Sequence, residues 1–318
     1  KMATPLDPAD KKPGASNQQP PLIECGRDEM NLIDIPFTLA VRRATDLKVM
    51  PDCLKSKHAV VKGSEGIPLA YAEDVYIGMM ALSRAQGFQE RLVHFSQWGL
   101  LNLIGWRDNP ESYKRLEKAL LQLKGITILH RNFWNPVVQK RSTLAFGLVD
   151  SFELIHEERG RKPAGGSSVP RSWFKWNDLF FQSLRNGFVK VIDLERYKRL
   201  KSPTAKRLFR YLDKHFYQQE ELSMDLFELI YDVLGWQGSY KHPSEIKRAL
   251  KGGIEELVHD GFMEEPEYLS TDKGTAIVFR RGEKSALDLL PALDPLVEKL
   301  AALGMNPSQV RFCTSDEN

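Results

Sequence analysis

One pattern occurs twice in this chain and constrains its fold more than any other feature. The first copy reads Ile104-Gly105-Trp106, then Pro110, then Lys114-Arg115; the second reads Leu234-Gly235-Trp236, then Pro243, then Lys247-Arg248. The Lys-Arg pair stands at the same offset from the proline both times. A helix-like apolar run leads into each Gly-Trp, and glycine just past the last periodic residue is a common helix stop. Proline at a first helical position then opens a basic helix, and a β-rich stretch follows. Helix, turn, basic helix and hairpin, written twice, predict two units of one design.

Periodicity places the elements. The spacing of Val75, Met79 and Leu82 predicts a helix over 72–86, stopped by Gly87. Residues 92–95 read as a short strand, Ser96 caps a helix ending at Gly105, and Asn109 caps a third helix from Pro110 to about residue 124. Residues 126–129 and 144–152 read as the strands of a hairpin whose long tip holds Lys140 and Arg141. In the second copy an amphipathic helix starts at Ser202-Pro203, burying Ala205, Leu208, Phe209, Leu212 and Phe216. Ser223 or Asp225 caps the next helix, Pro243 starts the third, and strands over 262–269 and 276–281 are turned by Asp272-Lys273-Gly274. Residues 42–68 look irregular apart from a β-rich piece at 59–61, and the Gly-, Pro- and Arg-rich stretch 156–172 reads as the connection between units.

The expected class is α+β, mainly helical, with tandem winged-helix domains (helix-turn-helix plus β-wing). The expected division is a disordered N-terminal arm over 1–27, winged-helix domains over 28–170 and 171–284, and a C-terminal helical extension over 285–318 with a helix at 291–303.

Composition narrows the class of function. Hydrophobic content of 42% and charged content of 27% are ordinary for a globular protein. No apolar run approaches the roughly 18 residues that span a bilayer, and the polar, proline-rich residues 1–21 show no signal-peptide pattern. A cytoplasmic protein without a membrane partner is expected. Cys25, Cys53 and Cys313 are scattered without a CxxC, which argues against a disulfide framework or a zinc site. The net charge of +3 is nearly neutral, but residues 156–215 hold fifteen Lys and Arg against six Asp and Glu, a net +9. Such a basic middle is an electrostatic footprint for a polyanion.

A helix that reads DNA packs one face on its own domain and offers donors on the other. Tyr113, Leu116, Leu120 and Leu123 form such a buried stripe, leaving Lys114, Arg115, Lys118 and Gln122 opposite. In the second copy Ile246, Leu250, Ile254 and Leu257 form the stripe, with Lys247, Arg248 and Lys251 outward and Lys241 and His242 just ahead. Reading helices enter the major groove mostly by their N-terminal halves, where Arg or Lys can bond a guanine edge and neighbouring cations hold phosphate. One basic amphipathic helix is ordinarily a solvated face; two at equivalent places in a repeated layout argue for double-stranded DNA. Further candidates are Lys140 and Arg141 on the first wing, Lys273, Arg280 and Arg281 on the second, and Arg159, Arg161 and Lys162 as a basic arm. Lys206, Arg207, Arg210 and Lys214 are expected on the outer face of the helix that crosses the DNA backbone. Trp106 and Trp236 read as wedges between helices.

Enzyme signatures do not emerge. The chain has no GxxxxGK[ST], no GxSxG and no HExxH, and its seven histidines form no His-x-His pair. A non-enzyme without catalytic residues, metal or cofactor is expected.

The runs Asp28-Glu29-Met30-Asn31-Leu32, Glu73-Asp74-Val75, Gly87-Phe88, residues 101–106, Ser112-Tyr113-Lys114-Arg115-Leu116-Glu117, Phe174-Lys175-Trp176-Asn177, Gly187-Phe188 and residues 205–214 resemble the replication initiator protein A family of plasmids. The resemblance covers roughly residues 28–281, and its most specific pieces are 113–117 and 205–214. It implies a theta-type initiator of two winged helices that binds repeated origin sites (iterons), helps open an AT-rich segment and recruits the host replication initiator and helicase. It also implies control of its own gene and a shift between monomer and homodimer. The polar arm before Asp28 and the extension after Glu283 fall outside the family pattern. A transcriptional regulator binding an operator through the same modules is the alternative, ahead of a nicking enzyme and a pure protein-interaction module.

Overall fold

The computed structural model describes residues 25–155, 171–272 and 274–282. The expected arm up to residue 24, the connection at 156–170 with Arg159, Arg161 and Lys162, Lys273, and the expected extension with its helix at 291–303 lie outside the described residues. In the first half β1 (Cys25–Glu29) and α1 (Met30–Ile33) precede a hairpin of β2 (Cys53–Lys55) and β3 (Ala59–Gly63). Then come α2 (Ala70–Ala85), β4 (Leu92–Phe95), α3 (Gln97–Leu103), α4 (Pro110–Gly125), β5 (Ile126–Asn135), β6 (Lys140–Phe146) and β7 (Val149–Glu153). The second half opens with β8 (Ser172–Trp176), α5 (Asp178–Arg185), β9 (Val189–Asp193), α6 (Leu194–Arg199) and α7 (Pro203–His215). It continues with β10 (Glu221–Asp225), α8 (Leu226–Glu228) extended by a π-helical stretch over Leu229–Val233, α9 (Pro243–His259), β11 (Glu267–Thr271) and β12 (Gly274–Arg280).

Local chemistry sets the helix ends. Asn109 Oδ1 accepts from the Ser112 N–H at 2.9 Å, and Pro110 needs no N-terminal partner. Asp225, not Ser223, caps the second helix of the second copy; its Oδ1 accepts from Phe227 and Glu228, while Ser223 lies within β10. Gly105 and Gly235 close the two copies at φ +75° and +73°, a region that disfavours any side chain. The faint letter repeat is thus a repeat of backbone geometry.

All named strand pairs are antiparallel, in sheets ordered β2-β3-β5-β6, β4-β8-β7, β1-β9 and β10-β12-β11. The two copies are not identical. The expected strand over 144–152 splits: β6 pairs with β5 from Ile128↔Phe146 to Asn135↔Lys140, whereas β7 leaves to pair with β8. Leu148, between β6 and β7, and Val149, the first residue of β7, are buried in the core and draw the chain out of the hairpin. The stretch expected to be irregular supplies β2 and β3 instead, because Leu54, Ala59 and Val61 bury one face against Ile128 on β5. The division expected at 170/171 is followed by β8, which is bonded to β4 and β7 of the first half, and β1 is bonded to β9 of the second.

One contiguous apolar core runs through both halves. Helix α2 is buried around most of its girth, and α3 crosses it so closely that a Cβ on Gly78 would lie 2.5 Å from Ile104. Trp176 and Phe180 pack edge-on or tilted against Tyr76 of α2 and each other, and Phe209 meets Phe262 at 4.9 Å in the second half. Trp236 is a buried wedge; Trp106 is half-buried and donates from Nε1 to Asp74 at 3.2 Å.

Two neighbouring glycines in α9 give opposite expectations. A Cβ on Gly253 would lie 2.7 Å from Thr204 Cβ on α7, whereas one on Gly252 meets nothing within 4 Å. Gly252→Ala is expected to stabilise by about 0.5–1 kcal/mol through helix propensity. Gly253→Ala is expected to destabilise by about 1–3 kcal/mol through overpacking. Urea denaturation of both variants checks the pair.

Candidate nucleic-acid interface

Helix α4 presents the expected basic face in part. Lys114, Arg115 and Lys118 are exposed, and none has a carboxylate partner among the described residues. Arg115 lies over the Trp106 ring at 5.3 Å, so the tryptophan that closes the preceding turn also steadies this guanidinium. A shallow hollow at the start of α4 is lined by Trp106, Arg107, Asn109, Ser112 and Arg115 among others. Gln122 departs from the expectation. It is buried, accepts from the Tyr71 hydroxyl at 2.6 Å and donates to Glu65 O at 3.4 Å, because the turn after β3 folds over that end of α4.

Helix α9 presents the equivalent face. Arg248 is exposed and without a carboxylate partner among the described residues, and Lys241 and His242 are exposed just ahead of the helix. Lys247 is half-buried with its ammonium 4.3 Å over the Tyr268 ring of β11, so it is held towards the hairpin. Lys251 is exposed and lies 3.6 Å from Glu255 one turn on, a weak surface pair.

The hairpins differ in what they leave available. Lys140 and Arg141 are exposed at the start of β6, with Arg141 stacked over Trp134 at 5.6 Å. On β12 Arg280 is tied by Glu221 at 2.8 Å and Glu267 at 2.6 Å, which cancels its charge across the sheet. Arg281 donates to Phe216 O at 3.0 Å. Both therefore serve the second hairpin's attachment before they could serve a ligand.

The cations of α7 overturn the sequence expectation outright. Arg207 and Arg210 are each 1% exposed. Arg210 donates to both carboxylate oxygens of Asp28, at 2.6 and 2.9 Å, and to Glu73. Arg207 donates to Val233 O at 2.9 Å and to Ile33 O and Ile35 O at 2.9 and 2.7 Å. Lys206 is half-buried on Asp74 at 2.7 Å, an oxygen that also accepts the Tyr197 hydroxyl at 2.9 Å. A polar helix face was expected outward, but β1, α1 and α2 cover it and bring the matching carboxylates. Burial raises the Glu73 carboxyl, yet Arg210 and Arg207 outweigh it and hold it below the usual range. Arg207 and Arg210 are thus closed to the phosphate contact expected of them, and Lys206 is engaged by Asp74.

Exposed cations that sequence reasoning did not single out include Arg107 beside the α4 hollow and Arg131 on β5. Lys55 and Lys57 on and after β2 are exposed as well. No repeat marks them: the second copy has Gln237 where the first has Arg107.

Among the described residues no helix is long and apolar enough to cross a membrane. The family described as Replication initiator protein A matches residues 27–252. A curated relative of Wigglesworthia glossinidia brevipalpis, described as "Putative replication protein", is 30% identical over 157 residues, 48% of this chain and 54% of the relative. The match thus spans about half that relative's length. Among solved structures, a selenomethionine derivative of domains 2 and 3 of RctB aligns with TM-score 0.50 at 12% identity, covering 80% of this chain and 99% of that one. A second crystal structure of RctB domains 2-3 aligns with TM-score 0.49 at 14% identity, covering 82% and 99%. The RctB likeness is one of fold.

Two expectations follow from the buried charges. Arg210→Met leaves Asp28 and Glu73 buried without a counter-charge and is expected to cost about 3–5 kcal/mol in denaturant unfolding. The second concerns pH. Burial pushes the Glu29 carboxyl up to about 7 from 4.5, and burial pulls the His130 imidazole down to about 4 from 6.5. Between those limits the folded chain binds more protons at Glu29 and fewer at His130 than the unfolded chain. The Glu29 contribution to stability therefore falls as pH rises, and the His130 contribution falls as pH drops. Glu29→Gln removes the first, so its denaturation midpoint should rise more steeply than that of the parent between about pH 4.5 and 6.5. An unchanged profile would contradict the assignment.

Proposed function

The chain belongs to the replication initiator protein A family, and from that premise we propose that it is a non-catalytic replication initiator that grips repeated origin sites through two winged helices. The observation that carries the reading is the pair of exposed basic helix starts. Lys114, Arg115 and Lys118 on α4, and Arg248 with Lys241 and His242 at α9, each follow a turn closed by a positive-φ glycine. Each of those helices is followed by a β-hairpin. In a winged helix this helix enters the major groove by its N-terminal half and the hairpin lies against the flanking backbone. Arg115 and Arg248 are the base-reading candidates; Lys114, Lys118, Lys140 and Arg141 hold phosphate.

Origin opening, a second copy of the chain, and the host replication initiator and helicase complete the proposal on the strength of the family alone. A cytoplasmic site of action goes with them.

Footprinting on DNA flanking the protein's own gene, at near-physiological salt, tests the reading. Regularly spaced protection over direct repeats is the expected result. Protection of a single promoter palindrome would make the chain a transcriptional regulator, and no specific protection would remove the DNA-binding reading. With a protected site in hand, Arg115→Ala and Arg248→Ala should each lose about 1–3 kcal/mol of specific binding and far less of non-specific binding, measured by competition titration.

A further inference from the structure

We propose that the strap of the first half from residue 42 to 57 is a working part of the second basic head, where Lys55 and Lys57 bind the phosphates of duplex DNA and Lys48 masks Glu245. The proposal rests on the DNA-binding reading above and assigns that site residues that the repeat does not contain.

The strap is fastened to the turn that aims α9. Lys48 Nζ lies 2.7 Å from Glu245 Oε1 in the first turn of α9, and 5.8 Å over the Tyr240 ring. Ser239 Oγ donates to Val49 O at 3.3 Å. The Lys55 N–H donates to Gln237 Oε1 at 3.0 Å, and Gln237 Nε2 donates back to Lys55 O. The Lys57 N–H donates to Asp232 Oδ1 at 3.0 Å. Lys55 and Lys57 thus spend their main chains on holding the second head. Their ammonium groups remain exposed, without a carboxylate partner among the described residues. On β2 Leu54 points into the core, so the two-residue alternation turns Lys55 outward.

Charge explains why the strap is there. Glu245 stands in the first turn of α9, where a reading helix would meet DNA, and its side chain is partly exposed. Hydrogen bonds from Lys48 and from the Lys241 main chain hold its carboxyl down at about 2, so it stays ionised. A bare carboxylate at that place would repel phosphate, and the Lys48 ammonium cancels it. Lys55 and Lys57 then add two compact positive charges beside the π-helical stretch and the turn that lead into α9, suited to phosphate without base reading. The second head is therefore built from both halves of the chain.

The test uses the full chain, a duplex carrying the protected site, and binding titrations between about 50 and 200 mM salt. Lys55→Ala/Lys57→Ala is expected to bind more weakly, with a log–log salt slope shallower by roughly 1.8, about 0.9 for each lost phosphate contact. The footprint register should not move. Arg185→Ala, which removes an exposed cation on α5 away from the strap, should keep the parental slope. Lys48→Ala should weaken binding, and Lys48→Ala/Glu245→Gln should restore most of it. Should the double variant melt early, Lys55→Ala and Lys57→Ala alone must each lower the slope by about 0.9. A parental slope in the lysine variants, or an equal loss in Arg185→Ala, overturns the proposal while leaving the DNA-binding reading intact. Failure of the parent protein to bind any duplex overturns both.

Discussion

Arg210 is the interaction on which the rest of the arrangement depends. Its guanidinium joins Asp28 of β1 and Glu73 of α2 from its own place on α7, wholly out of water. A buried charge is tolerable only with its partner, and loss of one partner leaves the other at high cost. The three elements must therefore come together, although Asp28, Glu73 and Arg210 stand 45 to 182 residues apart in the chain. Helix α4 packs on α2, and α9 packs on α7. The knot that joins α2 to α7 thereby sets how the two basic helices stand relative to each other. Tyr76 and Phe37, over which the Arg210 guanidinium lies at 5.5 Å, seal the site from solvent.

Around this knot the cations divide into two populations by a simple criterion. Lys206, Arg207, Arg210 and Lys214 each have an acidic or carbonyl partner across a packed interface. Lys114, Lys118 and Arg248 have none among the described residues and face water. Inside, a cation needs a carboxylate or a set of backbone carbonyls to replace its water; outside, one with a carboxylate has little charge left to offer a phosphate. Arg280, partly exposed yet bracketed by two glutamates, shows that access to water alone does not qualify a residue. The same criterion brings forward Lys55 and Lys57, which lie in a stretch that carries no repeat and no clear periodicity.

Much of the fold was legible because it is encoded locally. The starts of α4 and α7 are written in Asn109-Pro110 and Ser202-Pro203, and the turns after α3 and the π-helical stretch in Gly105 and Gly235. Strand pairing was less legible. Nothing local distinguishes β6 from β7, and their separation follows from where Leu148 and Val149 find a core. The β2-β3 hairpin is short, and its stability comes from β5 across long sequence separation.

What the sequence by itself determined is the repeated order of helices and turns, the glycine-closed corners, and the family to which the residues belong. These depend on spacing, caps and backbone freedom, which each residue carries with it. What only the tertiary structure decided is which charges are structural and which are free. Arg207 and Arg210 follow the same helical spacing as any solvent-facing pair. The burial of Arg210 was settled by the arrival of Asp28 and Glu73 from 182 and 137 residues away, and that of Arg207 by the carbonyls of Ile33, Ile35 and Val233. A charge's role is a property of its surroundings, and the surroundings exist only once the chain has folded.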